Sequence, residues 1–158
     1  MADCPFCKKL ASLSELPDEL VWEFPHSVAF LGPWQYYQGY CILVARTHAS
    51  ELFHLPDAER HAYLEQMCRL AKAIFTCFSP HKLNYELLGN QVPHLHWHLF
   101  PRYLNDPQLL KPVWLALEGE PAHLSTGPLP RQDILARLRQ ELSDQGQKGQ
   151  KGQKGLSA

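Results

Sequence analysis

The sequence has no long hydrophobic run and no excess of charge of one sign. In 158 residues, 15 Lys and Arg stand against 16 Asp and Glu, which gives a formal net charge of -1. A chain without a basic field is not expected to bind nucleic acid or an anionic membrane surface. No apolar run approaches the roughly 18 residues that span a bilayer. We therefore expect neither nucleic acid nor a membrane as a partner.

Signals for secretion and for disulfide bonding are also missing. The five cysteines are an odd number, and the first residues, Met-Ala-Asp-Cys-Pro, contain no basic segment followed by an apolar stretch. A disulfide framework is therefore not expected. We expect a reducing, cytoplasmic location.

The rest of the composition is typical of one globular domain, with 45% hydrophobic and 20% charged residues. The end of the chain differs, because Gly-Gln-Lys recurs there without apolar periodicity. Residues 144–158 are therefore predicted to be a disordered, low-complexity tail. Without residues 145–158, the body has 12 basic and 16 acidic residues, a net charge of -4.

Hydrophobic spacing predicts an α+β fold, with an antiparallel sheet, a long helix packed on one face and a C-terminal helix. Residues 1–103 form the predicted core, and 104–143 form a C-terminal extension whose helix packs on the same domain. The predicted elements are a hairpin or two edge strands in 20–31, a buried strand at 40–45, a helix at 57–78, strands at 83–88 and 95–100, and a helix at 131–142.

Residues 93–102, Pro-His-Leu-His-Trp-His-Leu-Phe-Pro-Arg, place His94, His96 and His98 two residues apart. On a strand they share one face, with successive members about 6.6 Å apart, while the apolar residues between them point into the core. Three imidazoles at that spacing can surround one phosphate. Two alternatives remain: partly exposed histidines on a solvent face, or ligands of a catalytic zinc.

Cys4 and Cys7 form a Cys-x2-Cys knuckle, which supplies two thiolates at the spacing that tetrahedral zinc prefers. Two more ligands are needed. His48 follows the buried strand and His94 opens the triad strand, so both are candidates, and a closed site of this kind is structural. The alternative is a pair of packed or redox-active thiols.

Residues 89–102 resemble the signature of the histidine triad superfamily, in which three histidines alternate with apolar residues before Pro-Arg. The order of knuckle, a Gly-x-x-Leu-Val strand ending at His48, long helix and triad strand is similar to that family over residues 4–103. The resemblance implies a homodimer that binds a nucleotide. It also implies a structural zinc held by Cys4, Cys7, His48 and His94.

The resemblance further implies a nucleotide hydrolase or phosphoramidase. His96 is the implied nucleophile, which attacks the α-phosphorus of a nucleoside phosphate or dinucleoside polyphosphate and forms a covalent nucleotidyl-imidazole. His98 and Gln91 are the implied catalytic donors that stabilise the charge on the phosphoryl oxygens. Asn90, at a position where relatives often have Gln, is a further candidate for substrate binding.

The sequence departs from the family pattern at two positions. Tyr40 stands where relatives usually have a fourth histidine, although its hydroxyl can still donate a hydrogen bond. Gly32 stands where relatives place an Asp or Asn on the ribose hydroxyls. Trp34 could stack on a base or pack in the core or a dimer contact. Arg102 could clamp a phosphate, but Pro-Arg at a strand end is more often exposed, structural or at an interface.

Two other functions remain open at this point. A nucleotidyltransferase or dinucleotide phosphorylase is the first, although those relatives typically carry Gln at the third triad position, where this chain has His98. A nucleotide-binding regulatory module with little turnover is the second, and the departures at Gly32 and Tyr40 favour it.

Overall fold

The computed structural model describes residues 3–116 and 127–154. The elements in chain order are α1 Pro5–Ala11, β1 Leu20–Glu23, β2 Ser27–Leu31, β3 Cys41–Ala45, α2 Asp57–Phe78, β4 Lys82–Glu86, β5 His96–Arg102, α3 Val113–Ala116 and α4 Arg131–Lys154. None of the helices in these two ranges is both long enough and apolar enough to cross a membrane.

The five strands form one sheet in the order β1-β2-β3-β5-β4, and each neighbouring pair is antiparallel. The predicted α+β class with an antiparallel sheet is confirmed. The triad strand β5 lies between β3 and β4. Ile42 of β3 pairs with His98, and Val44 pairs with His96. A strand with neighbours on both sides holds its side chains rigidly, which suits a site that needs fixed geometry.

One face of the sheet carries the main core, as predicted for the long helix. Leu43 and Leu99 from the sheet pack with Leu70 and Ile74 of α2, and α4 adds Leu138. Leu95 and Leu99 are buried on this face and Trp97 packs against it, because alternate residues of a strand point the same way. His96 and His98, which alternate with these residues in the strand, therefore face the opposite side.

The opposite face is covered by two short helices that hydrophobic spacing did not predict. Phe6 and Leu10 of α1 pack with Val28, Phe30 and Val44. Val113 of α3 packs in a second cluster around Tyr40 and Phe100. A helix of 7 or 4 residues is too short to show a helical period in the sequence. The triad face is thus flanked by α1 on one side and α3 on the other.

Helix α4 extends further than the sequence predicted. It continues from Arg131 to Lys154, beyond the predicted end at residue 142 and into the segment predicted to be disordered. Side-chain pairs four residues apart support the helix near the buried Leu142: Gln140 donates to Asp144 and Gln145 donates to Glu141. Residues 117–126 and 155–158, parts of the predicted extension and tail, lie outside the described residues.

Candidate active site and metal centre

The middle histidine of the triad is held in one orientation. Nδ1 of His96 lies 2.6 Å from the backbone carbonyl oxygen of His94. Only a protonated nitrogen can donate to a carbonyl, so Nδ1 carries the hydrogen and Nε2 keeps a free lone pair. The His96 side chain is buried, and its ring meets the His98 ring edge-on at 4.9 Å between centroids. This tautomer is the one that a nucleophilic imidazole requires.

The third histidine, His98, is oriented by Tyr40. The Tyr40 hydroxyl lies 2.7 Å from Nδ1 of His98. Burial raises the pKa of Tyr40, so its hydroxyl stays protonated and can donate. Burial also lowers the pKa of His98 to about 4, with a smaller effect from His96. His98 is therefore a neutral imidazole at pH 7, and its Nε2 carries the hydrogen when Nδ1 accepts from Tyr40.

A tight turn places Tyr40. The side chain of Gln35 donates to the carbonyl oxygens of Gly32 and Tyr40 at 3.2 and 3.0 Å and accepts from the amide of Gly39 at 2.9 Å. A Cβ added to Gly32 would overlap the Tyr40 ring. Gly32 therefore leaves the space that the Tyr40 ring occupies, so the two departures from the family pattern are in direct contact.

Trp34 lies beside the same ring. Its indole centroid is 4.8 Å from that of Tyr40 and 5.8 Å from that of Phe100, with which it stacks. The side chain is partly buried against the cluster of Tyr37, Tyr40 and Phe100. Its half-buried ring packs against the Tyr40 ring and supports it. Its contact with a base stays a prediction.

The four predicted zinc ligands come together. One ligand atom from each of Cys4, Cys7, His48 and His94 lies within 4.8 Å of all the others. The sulfur-to-nitrogen distances are 3.3, 3.4 and 3.6 Å, and the two Nδ1 atoms are 3.2 Å apart. Tetrahedral zinc with ordinary bond lengths would place sulfur and nitrogen about 3.5 Å apart and two nitrogens about 3.3 Å apart. The residues therefore fit a closed Cys2His2 site.

The tautomer of His94 also suits a metal ligand. Its Nε2 lies 2.8 Å from the carbonyl oxygen of Ala45, so Nε2–H donates and Nδ1 is left unprotonated toward the two sulfurs. Burial lowers the pKa of His94, which favours the neutral form that binds metal. A hydrogen bond of this kind on the outer nitrogen is usual for histidine ligands of metals.

Asn90 and Gln91 lie in the connection between β4 and β5. Both side chains are exposed, and neither makes a hydrogen bond to another residue of the described ranges. Their proposed contacts with substrate stay predictions.

Arg102 is buried and its guanidinium donates to groups within the protein, so it is not available to clamp a phosphate. Its Nε donates to Asp106 at 2.6 Å, and its two terminal nitrogens donate to Asn84 and to backbone carbonyls of Gln108 and Lys111 at 2.8 Å each. Of the roles considered for Arg102, the structural one is observed. The expectation of an exposed side chain was wrong, because Arg102 is buried. These bonds tie the segment before α3 to the end of the triad strand.

Sequence reasoning missed three neighbours of the triad. Trp114 of α3 meets His98 edge-on at 5.2 Å between centroids. Glu86 pairs with His98 across the sheet, and burial raises its pKa. Phe6 lies 4.6 Å from His96 between ring centroids. Glu86 could have been found by counting strand register, and Phe6 by its place between the two cysteines of the candidate metal site.

Comparison with known proteins agrees with this geometry. The family model described as the HIT domain matches residues 14–105. A curated relative named Protein hit, from Bacillus subtilis, is 32% identical over 106 residues, which cover 64% of this chain and 72% of the relative.

Solved structures give the same result. A histidine triad protein from Bradyrhizobium japonicum has a TM-score of 0.66 and 25% identity, covering 82% of this chain and 93% of that chain. A Zn-bound histidine triad family protein from Mycobacterium smegmatis has a TM-score of 0.65 at 17% identity, covering 93% and 98%, and shows the shared fold. Because the HIT model matches more than half of the sequence, this chain belongs to the histidine triad family.

Proposed function

We propose that this protein is a hydrolase or phosphoramidase that cleaves at the α-phosphorus of a nucleoside phosphate or dinucleoside polyphosphate through a nucleotidyl-His96 intermediate. Family membership supports a nucleotide-binding protein of the hydrolase type. The observation that carries the specific proposal is the hydrogen bond from His96 Nδ1 to the His94 carbonyl oxygen, which leaves Nε2 free to attack.

The proposed reaction has two displacements. In the first, the Nε2 lone pair of His96 forms a bond to the α-phosphorus, and the bond from phosphorus to the leaving oxygen or nitrogen breaks. The leaving group departs with that electron pair and takes a proton from solvent. In the second, water attacks the phosphorus, the N–P bond breaks, and its electron pair returns to Nε2 while a proton goes to solvent. One difficult step is thereby divided into two easier ones.

His98 is the proposed donor to the reacting phosphoryl group. Because its pKa is about 4, it serves as a neutral donor through Nε2 rather than as a cation. A positioned donor in a site with little water stabilises charge that develops on phosphoryl oxygens. Tyr40 orients this donor from behind and need not touch substrate itself.

Gln91 and Asn90 are proposed to contact the phosphate or the leaving group when substrate is bound. Their support is position alone, since both stand in the connection that leads into the triad strand. Trp34, whose ring stacks on Phe100, is proposed to form one side of the substrate site rather than to stack freely on a base.

Zinc is the proposed metal at Cys4, Cys7, His48 and His94. Four protein ligands leave no open coordination position, so bound zinc would supply a structural link rather than activate water. His94 directly precedes β5, and its carbonyl oxygen accepts the hydrogen bond from His96. Bound zinc would therefore hold in place the backbone group that orients the His96 ring.

We also propose a homodimer and a cytoplasmic location. The dimer rests on the family resemblance. The location is supported by five cysteines that are all free thiols in the structure. Light scattering of the purified protein and fractionation of cells test these two proposals separately.

The experiment that tests the function compares wild type with His96→Asn on a nucleoside phosphoramidate and on a dinucleoside polyphosphate. We expect turnover of at least one substrate by wild type, none by the variant, and the same folded spectrum for both. Binding of AMP without turnover by wild type would instead favour the regulatory module. Addition of inorganic phosphate with release of a nucleoside diphosphate would favour the phosphorylase.

A further inference from the structure

Trp114 brings a side chain from outside the sheet onto His98. It lies on α3, and its indole meets the His98 ring at 85° and 5.2 Å between centroids. The same indole meets Phe100, two residues further along β5, at 86° and 5.5 Å. Trp114 thus contacts two neighbouring rings on the triad face, and one of them is the proposed donor to the phosphoryl group.

The connection between β5 and α3 is anchored at both of its ends. Arg102, the last residue of β5, is 1% exposed and donates to the Asp106 carboxylate and to the backbone carbonyl oxygen of Gln108. The Gln108 side chain in turn donates to the carbonyl oxygen of Ala116, the last residue of α3, at 3.2 Å. Val113, the first residue of α3, is fully buried. A helix of four residues is thereby held in one place on the triad face.

The other contacts of His98 come from the sheet and from the turn before β3. The Tyr40 hydroxyl lies 2.7 Å from Nδ1, and His96 and Phe100 flank the ring along β5 at 4.9 and 5.8 Å between centroids. An imidazole held by one hydrogen bond can still rotate about χ2, which is a soft torsion. Trp114 adds a contact from α3 that opposes this rotation and covers part of the ring.

We propose that Trp114 is a positioning residue, which keeps the His98 imidazole aimed at the phosphoryl group and shields it from water. The inference rests on the proposed role of His98 as a donor. A donor that is already oriented, in a site with little water, need not be reordered in each turnover. Loss of the indole should therefore slow the chemical step more than it weakens substrate binding.

The groups around His98 make this shielding measurable. The titratable side chains next to it are His96 on the same strand, Tyr40, and Glu86, which pairs with His98 across the sheet, while α3 carries none. Burial is the main cause of the lowered pKa of His98, and His96 adds to it. Removal of the indole would admit water to the ring, so the pKa of His98 should return toward its ordinary value.

The kinetic test compares Trp114→Ala, Trp114→Phe and Leu115→Ala in the full chain. Leu115 is the control, because it is the next residue of α3, is 57% exposed and has no ring to place on His98. Removal of one positioned donor costs about 100- to 1,000-fold in kcat, and misorientation of a donor that is still present should cost less.

We expect Trp114→Ala to lower kcat by roughly 10-fold with KM nearly unchanged. Trp114→Phe should fall between that variant and wild type, and Leu115→Ala should keep the wild-type kcat. Equal kcat losses in Trp114→Ala and Leu115→Ala would overturn the proposal, since a general disturbance of α3 would then explain them. A raised KM with unchanged kcat in Trp114→Ala would overturn it too, because the indole would then act on substrate binding.

A second readout does not depend on turnover. Long-range proton–nitrogen NMR of His98 should show one neutral tautomer in wild type and in Leu115→Ala, with Nε2 protonated and a pKa of about 4. In Trp114→Ala the pKa of His98 should rise toward its ordinary value of 6.5. An unchanged pKa of His98 in Trp114→Ala would overturn the proposal. If wild type turns over no substrate, the proposed function fails, but these spectra still decide whether Trp114 shields His98.

Discussion

The Tyr40 hydroxyl and Nδ1 of His98 are 2.7 Å apart, and this contact determines which nitrogen of His98 faces the reaction. A histidine whose Nδ1 accepts a hydrogen bond carries its own hydrogen on Nε2. Tyr40 therefore takes over an orienting task that relatives are expected to assign to a fourth histidine.

Tyr40→Phe removes the hydroxyl and keeps the ring. A neutral hydrogen bond contributes about 0.5–1.5 kcal/mol, so we expect kcat to fall by roughly 3- to 10-fold with little loss of stability. Steady-state kinetics on the substrate that wild type cleaves measure this. Tyr63→Phe is the control, because its buried hydroxyl donates to the carbonyl oxygen of Leu43 on the other face of the sheet. Equal kcat values for wild type and Tyr40→Phe would exclude the orienting role.

Gly32→Ala tests the space beside the Tyr40 ring. The added Cβ would overlap that ring, and overpacking of a core costs about 1–3 kcal/mol. We expect a loss of that size in the free energy of unfolding by denaturant, and a smaller loss when Gly32→Ala is made in a Tyr40→His background. Gly146→Ala is the control, since a Cβ there meets nothing within 4 Å in α4. An unchanged stability for Gly32→Ala would contradict the tight packing of Tyr40 against Gly32.

The sequence predicted the triad face correctly because the pattern is local. Histidines alternate with Leu95, Trp97 and Leu99, and one buried face determines the other. The partnership of Gly32 with Tyr40 was not predictable in the same way. In the sequence, Gly32 and Tyr40 each simply lack the side chain that the family pattern has at that position. Only the turn in which the Gly32 amide donates to the Tyr40 carbonyl oxygen brings the two residues together.

The candidate metal centre likewise has a part that the sequence predicted and a part that it did not. The ligand types and their spacing identified Cys4, Cys7, His48 and His94 before any geometry was known. The contact between Phe6 and His96 depends on how a seven-residue helix docks on the sheet, and no periodicity in so short a segment encodes that. The end of α4 was also missed, because polar pairs four residues apart extend a helix without apolar spacing.

The burial of His98 predicts a specific dependence of stability on pH. Its pKa is lowered from 6.5 to about 4 in the folded protein, so the unfolded chain binds more protons between these values. Stability should therefore be complete above about pH 6.5 and decrease as the pH falls toward 4, by on the order of 2–3 kcal/mol from this group. The measurement is the free energy of unfolding from pH 7.5 to pH 4 for wild type and His98→Asn.

The difference between those two curves isolates His98, since the other titrating groups are common to both proteins. We expect wild type to lose more stability on acidification than His98→Asn. Parallel curves would show that the imidazole of His98 is not held neutral by burial.

Zinc removal should destabilise the fold around α1 before it affects the rest of the sheet. Elemental analysis of purified protein should find about one zinc for each chain, and chelation should lower the melting temperature. Cys7→Ser should lower zinc content and stability, while Cys68→Ser, at an exposed cysteine on α2 away from the cluster, should leave both unchanged. Metal-free protein with the same melting temperature as loaded protein would contradict a structural role.

The covalent intermediate is the most direct test of the account. Wild type mixed with a substrate labelled at its α-phosphate, and quenched under alkaline conditions that preserve a phosphorus–nitrogen bond, should carry the label on the peptide that contains His96. His96→Asn should carry none and should release no product, although it folds as wild type does. Turnover by wild type without a labelled intermediate, or continued turnover by His96→Asn, would contradict the claim that His96 is the nucleophile.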